Sequence, residues 1–114
     1  MRTNIVIDDK LLDPKKPDLE LVFKALGDPI RLEILELLKR PGRSSCALIA
    51  PKEKGLCACD IQEKIGLSQA AVSHHMALLR RAGLVYAEKR AKWMFYKRNE
   101  AAIVCLAQTI AKSI

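Results

Sequence analysis

The 114 residues of this chain are enough for one small domain, and because half of them are hydrophobic but only 4% are aromatic, Leu, Ile, Val and Ala must build its core. No apolar run approaches the roughly 18 residues that cross a bilayer, and residues 1–9 lack the basic-then-apolar build of a secretion signal. We therefore expect a cytoplasmic protein with no membrane partner, whose four cysteines are thiols. The net charge of +7 indicates a polyanionic partner.

The first part of the chain predicts an arm and two helices. Residues 1–16 hold one short apolar run and end among prolines, which predicts an N-terminal arm. Residues 18–26 predict a first helix that ends at Gly27. Asp28-Pro29 then places an N-cap before a proline at the first helical position, which predicts a second helix from Ile30 to Arg40. The residues of this helix that we expect to face inward are Ile34, Leu35 and Leu38.

A long connection and two further helices follow. Residues 43–56 form the connection, and loops of this length in compact domains are usually functional or mobile. Residues 60–65 predict a short helix, and residues 68–83 a longer one with Ser68 as its N-cap and Gly83 as its C-terminal stop. The apolar stripe of the longer helix consists of Val72, Met76 and Leu79.

The opposite face of residues 68–83 is small and polar and lacks carboxylates. It consists of Ala70, Ser73, His74, Ala77 and Arg81, with Gln69 and Arg80 on its flank. A helix that enters the major groove of DNA needs this composition, because bulk would block entry and carboxylates would repel phosphates. With residues 60–65 it predicts a helix-turn-helix whose second helix reads DNA. The side chains expected to read bases are Ser68, Gln69, Ser73 and His74.

After Gly83 the apolar period changes from helical to alternating. Residues 84–89 and 92–98 predict a β-hairpin joined by Arg90-Ala91. From residue 68 to residue 98 there are seven basic side chains and one acidic one, a net charge of +6 that leaves +1 for the rest of the chain. Such a tip is often only a solvated turn, but here it continues the charge of the helix, which favours a wing along the phosphates. The side chains assigned to phosphates are Arg80, Arg81, Lys89, Arg90 and Lys92.

Residues 100–113 predict a last helix, which Asn99 can cap. Its apolar positions recur at helical spacing and are Ile103, Leu106, Ala107, Ile110 and Ile114. Such a stripe can be buried within its own domain, but terminal helices are also common dimer seams, and a small DNA reader gains half-site specificity as a dimer. We predict a homodimer through the first and last helices. The predicted fold is mainly α with a small β-hairpin, a winged helix-turn-helix (α-α-α-α-β-β-α), in which residues 17–114 form one DNA-binding domain with terminal dimerisation helices.

This order of elements, together with three stretches of sequence, resembles the ArsR/SmtB family of metal-responsive winged-helix repressors. The stretches are residues 24–35 (KALGDPIRLEIL), 56–61 (LCACDI) and 67–79 (LSQAAVSHHMALL). The resemblance implies a homodimeric repressor that binds an inverted-repeat operator in double-stranded DNA and releases it when an effector binds. The zinc site that some members carry on the last helix is absent here, because that helix has no His and its only acid is Glu100.

The resemblance also assigns a role to two cysteines. Cys57 and Cys59 match the thiolate pair that arsenic- and cadmium-responsive members carry at the start of the third helix. The third cysteine of the arsenic type is replaced by Gln62, so the nearest candidate for a third ligand is Cys46, in a connection longer than the family's usual one. Cys105 is expected to be a lone packed thiol.

The chemistry of this pair predicts both the ligand and the switch. No cofactor is expected to be permanently bound, and thiolates without a nearby His favour As(III), Sb(III), Cd(II) or Pb(II), with As(III) first. Two sulfurs about 2.3 Å from one ion must lie within about 4 Å of each other. Residues i and i+2 of a regular helix point in nearly opposite directions. We therefore expect that closing the chelate unwinds or re-aims the first turn of the third helix.

Other interpretations remain open. The cysteines could serve a redox- or persulfide-sensing repressor, or a Cd(II), Pb(II) or Zn(II) sensor of the same fold, and a winged helix can bind protein instead of DNA. An enzyme is not expected, since Ser73 and His74 adjoin on one helix, where a nucleophile and its base cannot take up triad geometry. His75 points toward the side of the core, and a structural role is predicted for it.

Overall fold

The computed structural model describes residues 18–39, 55–90 and 92–113. The arm predicted at residues 1–16 and the connection that carries Cys46 lie outside the described residues. The described helices are α1 (Leu19–Leu26), α2 (Pro29–Lys39), α3 (Ala58–Ile65), α4 (Gln69–Arg81) and α5 (Glu100–Ser113), and the described strands are β1 (Leu56–Cys57), β2 (Val85–Arg90) and β3 (Trp93–Arg98).

The helices begin and end close to the predicted capping residues. The Asp28 carboxylate accepts from the backbone N–H of Arg31 at 3.1 Å, and the Ser68 hydroxyl accepts from that of Ala71 at 3.1 Å, so both act as N-caps as predicted. Asp18, which was placed inside the first helix, is instead its N-cap and accepts from the backbone N–H of Leu21 at 3.2 Å. Gly66 (φ 82°) and Gly83 (φ 80°) take the left-handed conformation that ends α3 and follows α4. These local signals therefore set the bounds of the helix-turn-helix.

The predicted order of elements lacked one strand. Leu56 and Cys57 form β1, which pairs antiparallel with β3 and extends the hairpin to a three-stranded sheet in the order β1-β3-β2. The observed order is therefore α-α-β-α-α-β-β-α, and the prediction that the connection runs through Leu56 was wrong. A strand of two residues is too short to show an alternating pattern, so only its partner reveals it.

The turn of the hairpin lies one residue further along than predicted. Arg90 pairs with Trp93 in the ladder of β2 and β3, so Arg90 belongs to β2 and not to the turn. The wing tip therefore presents Arg90 from a strand, where its side chain can contact neighbours across the sheet.

The core confirms the predicted inward faces of α2 and α4. The buried residues of these two helices are Ile34, Leu35, Leu38, Val72, Met76 and Leu79. Asn99 is buried as well and joins α5 to the connection between α4 and β2, because its amide donates to the Gly83 carbonyl at 3.2 Å and its side-chain oxygen accepts from the N–H of Ala102 at 3.2 Å. Its own N–H donates to the Leu84 carbonyl at 2.9 Å. It therefore caps α5 as predicted.

The predicted apolar stripe of α5 is only partly buried within its own domain. Leu106 is buried and Ile103 and Ile110 are half-buried, whereas Ala107 is exposed, and Ile114 lies outside the described residues. The helix is turned so that Ala102 faces the domain and Val104 is left 56% exposed. None of the helices in the described part of the chain has the length and apolar character that a bilayer crossing requires.

Candidate functional site

The face of α4 opposite its apolar stripe is open to solvent. We call Ala70, Ser73, His74, Ala77 and Arg81 the reading face, and all five are exposed, as are Ser68 and Gln69 at the helix start. The Ser68 oxygen is occupied by the cap to Ala71, but its hydroxyl proton remains a donor. The four side chains predicted to read bases therefore lie on the surface at the beginning and middle of α4.

The side chains predicted to contact phosphates differ in their surroundings. Lys89, Lys92 and Arg81 are exposed, and Arg80 is half-buried. Arg90 donates to the Glu88 carboxylate at 3.1 Å and lies 5.5 Å from the centroid of the Phe95 ring. Part of its charge is therefore already balanced within the wing, whereas the Lys89 side chain is exposed to solvent.

One basic residue of the hairpin belongs to the fold. Arg98 forms two hydrogen bonds with the Glu100 carboxylate, at 2.9 Å and 3.1 Å, and donates to the Leu35 carbonyl at 3.4 Å. The basic count of residues 68–98 therefore overstates the charge available to DNA, because the neighbouring Glu100 lies just beyond that window.

The sulfur atoms of Cys57 and Cys59 lie 2.8 Å apart. Both are free thiols; Cys57 is buried and Cys59 is half-buried. The expectation that they point in opposite directions was wrong, because Cys57 is the N-cap of α3 and has extended backbone angles (φ −68°, ψ 152°). The thiol pair, Cys57 and Cys59, is thus brought together by the turn before the helix, and no unwinding is needed to make the two sulfurs neighbours.

Asp60 holds this arrangement from inside α3. Its carboxylate accepts from the backbone N–H of Cys57 at 3.3 Å, and the Cys57 sulfur accepts from the N–H of Cys59 at 3.4 Å. Cys57 and Asp60 therefore form a reciprocal capping box, and Asp60 is buried with only 3% exposure. The first turn of α3 and the thiol pair are one hydrogen-bonded unit.

The thiol pair also adjoins the sheet and the end of α4. Cys57 lies opposite Phe95 and Leu56 lies opposite Tyr96 in the β1–β3 ladder. Burial raises the pKa of Tyr96, with Arg80 opposing this effect and Cys57 adding to it. Tyr96 therefore lies between the thiol pair and the last turn of α4.

The described residues supply two adjacent sulfur ligands but not a complete metal coordination sphere. They contain no group of three or more His, Cys, Asp or Glu side chains that could hold a metal ion. Cys105 is a free, half-buried thiol on α5, and Cys46 lies outside the described residues. Two adjacent sulfurs are a donor set that suits a thiophilic ion.

His75 and Arg31 form a contact between α4 and α2. Arg31 Nη1 lies 3.0 Å from His75 Nδ1, and since a guanidinium is always a donor, Nδ1 must accept and the ring proton must be on Nε2. Burial lowers the pKa of His75; Asp28 opposes this, while Arg31 and His74 lower it further. His75 is therefore a neutral acceptor that holds α4 to the rest of the domain.

Comparisons with known proteins place these features in a family. Residues 52–87, which contain β1, α3 and α4, match the family of bacterial regulatory proteins named arsR. The chain is 39% identical over 99 residues to the uncharacterized HTH-type transcriptional regulator YbzH of Bacillus subtilis, which covers 82% of this chain and 95% of YbzH. The chain belongs to the arsR family. It is a DNA-binding transcriptional repressor with a winged-helix fold, not an enzyme.

Two further matches bear on this arsR-family repressor. It is 36% identical over 93 residues to the arsenical resistance operon repressor of Staphylococcus xylosus, covering 82% of this chain and 77% of that one. The structure of HlyU from Vibrio cholerae superposes with a TM-score of 0.56 at 29% identity, covering 79% of this chain and 86% of HlyU.

Sequence reasoning missed two side chains of the repressor's site. No role was predicted for Asp60, although its spacing of three residues from the N-cap Cys57 is the signal of a capping box. Arg31 carried no signal of its own, because its partners lie in α1 and α4 and are neighbours only in the folded chain.

Proposed function

We propose that this repressor binds an inverted-repeat operator as a homodimer and is released by a thiophilic metal(loid), As(III) first, held by Cys57 and Cys59. The observation that carries the proposal is the 2.8 Å approach of the two sulfur atoms at the first turn of α3, the helix directly before α4. The name of the Staphylococcus xylosus relative, an arsenical resistance operon repressor, supports the same ligand.

The DNA-binding part of the proposal assigns roles by position. The exposed polar side chains at the start and middle of α4 contact base edges: Ser68, Gln69, Ser73 and His74. Cations at the end of α4 and on the wing contact phosphates: Arg80, Arg81, Lys89, Arg90 and Lys92. Affinity should therefore fall steeply with salt, as counterions are released from the DNA on binding.

The homodimer is proposed to use α1 and α5. Each of these terminal helices leaves a large apolar side chain uncovered, with Phe23 44% exposed on α1 and Val104 56% exposed on α5. Aromatic side chains such as Phe23 are enriched at interfaces relative to the rest of the surface. A two-fold dimer would present two copies of α4 to successive major grooves.

The two cysteines have different parts in the proposed sensor. Cys59 is half-buried and offers the route by which an ion reaches the site, whereas Cys57 is buried in the fold. Both must be thiolates to bind, so binding releases protons. With only sulfur donors in the pair, soft ions are preferred, and the small donor number suits a three-coordinate metalloid. Cys46 is the proposed third ligand.

Release is proposed to act through the two connections of Cys57. Its sulfur caps α3, so a change at the sulfur alters the cap of the helix that supports α4. Its backbone pairs with Phe95 in β3, so the same change reaches the wing. This replaces the expected unwinding of α3, since the sulfurs are already adjacent.

The test is a titration of reduced protein on a fluorescent DNA duplex that carries the region upstream of its own gene. Arsenite should release the natural protein and Cys105→Ser, a matched control whose thiol lies on α5, but neither Cys57→Ser nor Cys59→Ser. All four should bind the duplex before arsenite is added. If Cys57→Ser and Cys59→Ser leave the duplex at the arsenite concentration that releases the natural protein, the sensor site is refuted. If neither variant binds the duplex at all, the cysteines are structural.

A redox sensor is the second candidate, favoured by the same contact between two free thiols. It predicts that arsenite, Cd(II), Pb(II) and Zn(II) leave the complex intact, while a mild oxidant releases the DNA and a thiol reductant restores binding. The same titration with an oxidant arm therefore separates the two functions.

A further inference from the structure

One guanidinium joins three helices of the described chain. Arg31 lies in the first turn of α2 and donates through Nε to the Ala25 carbonyl at 2.7 Å and through Nη2 to the Lys24 carbonyl at 3.2 Å, both in the last turn of α1. Its Nη1 reaches Nδ1 of His75 in α4 at 3.0 Å. Its three nitrogens thus link α1, α2 and α4.

This use of an arginine follows from the needs of α1. The last carbonyls of a helix have no partner within it, and they carry the negative end of the helix dipole, which favours a cation. A planar guanidinium can serve two carbonyls and a third acceptor at once, whereas a lysine ammonium cannot hold the same three in one plane. Asp28 fixes the start of α2 by accepting from the backbone N–H of Arg31 at 3.1 Å.

The far end of this contact adjoins the reading face. The ring of His75 lies beside that of His74, with 5.7 Å between centroids and an angle of 59° between planes. His74 is exposed on the reading face, and Met76 on the other side of His75 is buried in the core. His75 therefore lies between the buried side of α4 and its reading face, and a hydrogen bond there limits the rotation of the helix about its axis.

We propose that Arg31 and His75 are positioning residues for DNA reading: Arg31 holds the neutral ring of His75, and this contact fixes the rotation of α4 and the place of His74. The inference rests on the proposed role of the reading face. Protonated His75 can no longer accept from Arg31 and places a second cation against it, so acid weakens sequence-specific binding. The charged groups that act on His75 are Asp28, Arg31 and His74.

The first test compares binding of the folded variants to the upstream duplex and to a scrambled duplex. Arg31→Lys and His75→Phe should weaken binding to the upstream duplex by about tenfold, the loss expected for one hydrogen bond to a charged group. Binding to the scrambled duplex should change by less than about twofold, because it depends on surface cations. Arg98→Lys is the matched control, since Arg98 also donates to a helix carbonyl, but its hydrogen bonds go to Leu35 in α2 and Glu100 in α5.

The second test uses a variant that keeps the hydrogen bond from Arg31 at neutral pH. His75→Asn keeps an acceptor near the position of Nδ1 but cannot be protonated. Between about pH 7.5 and about pH 5.5 the natural protein should lose affinity for the upstream duplex relative to His75→Asn. His74 is present in both proteins, so its contribution cancels in the ratio.

The outcomes distinguish this inference from the proposed function. The positioning role would be overturned, while DNA reading stands, if Arg31→Lys bound the upstream duplex as tightly as the natural protein does. The same follows if the affinities of the natural protein and His75→Asn for that duplex changed equally with pH. A natural protein that binds both duplexes equally would overturn DNA reading and the positioning role together.

Discussion

Cys57 lies directly opposite Phe95 in the antiparallel pair of β1 and β3, so one member of the thiol pair is part of the sheet that carries the wing. The Phe95 ring in turn lies 5.5 Å from the Arg90 guanidinium near the wing tip. The cap of α3 and the base of the wing therefore meet at a single residue, and a sensor there is connected to both DNA-contacting elements of the repressor.

The capping box makes a prediction about stability. Asp60→Ala removes the acceptor for the Cys57 N–H and should lower the free energy of unfolding by about 1–2 kcal/mol, the usual cost of a lost cap. Cys57→Ser should change it much less, because a hydroxyl is a preferred N-cap. Urea unfolding without metal measures both. A larger loss in Cys57→Ser than in Asp60→Ala would contradict the capping account.

Asn99 makes a second prediction about stability. Asn99→Ala leaves the Gly83 carbonyl and the Ala102 N–H without their partner in a buried place, so the free energy of unfolding should fall by about 2 kcal/mol. Asn99→Asp keeps the acceptor for Ala102 but loses the donor to Gly83, and it should also be destabilised. Thermal and urea unfolding provide the measurement. If Asn99→Ala left the free energy of unfolding unchanged, these hydrogen bonds would contribute nothing to stability.

The lowered pKa of His75 predicts how stability depends on pH. Because burial lowers this pKa from the ordinary 6.5, the folded chain binds the proton less tightly than the unfolded chain. The contribution of neutral His75 to the free energy of unfolding is therefore complete above pH 6.5, the ordinary pKa. It is lost as the pH falls from there through the lower pKa of the folded chain. His75→Asn should lack this loss. Urea unfolding of both proteins across that range tests the sign, and a natural protein that gains stability relative to His75→Asn on acidification would reverse it.

The two neighbouring wing cations should contribute unequally to DNA binding. Lys89→Gln should reduce the slope of log affinity against log salt by about 1, as expected for one lost phosphate contact. Arg90→Gln should reduce it less, because Arg90 is already paired with Glu88 at 3.1 Å. Anisotropy at several salt concentrations gives both slopes. A greater reduction in Arg90→Gln would mean that the pair with Glu88 opens on DNA.

The sequence predicted what local chemistry determines. Asp28 and Ser68 cap α2 and α4, Gly27 ends α1, and Val72 is buried while Ser73 is exposed, because each of these follows from a pattern within one turn of helix. The reading face and the hairpin were predictable for the same reason.

Features that depend on distant partners were not predictable. Strand β1 exists only through its pairing with β3, and Arg31 has its role only because α1 and α4 meet it. The direction of Cys57 was predicted wrongly because the residue was treated as helical, whereas its extended backbone as N-cap turns its sulfur toward Cys59. The position of Cys57 as the N-cap thus determines the geometry of the thiol pair.

The central claim is that the sulfurs of Cys57 and Cys59 bind the effector that frees the DNA. The most direct measurement titrates arsenite into the reduced protein on its labelled upstream duplex and follows thiolate–arsenic absorption and DNA anisotropy together. We predict that both signals change in parallel and end at about one As(III) per protomer, as expected for a thiolate-bound metalloid. Absorption that saturates while the duplex stays bound, or release without absorption, would contradict the account.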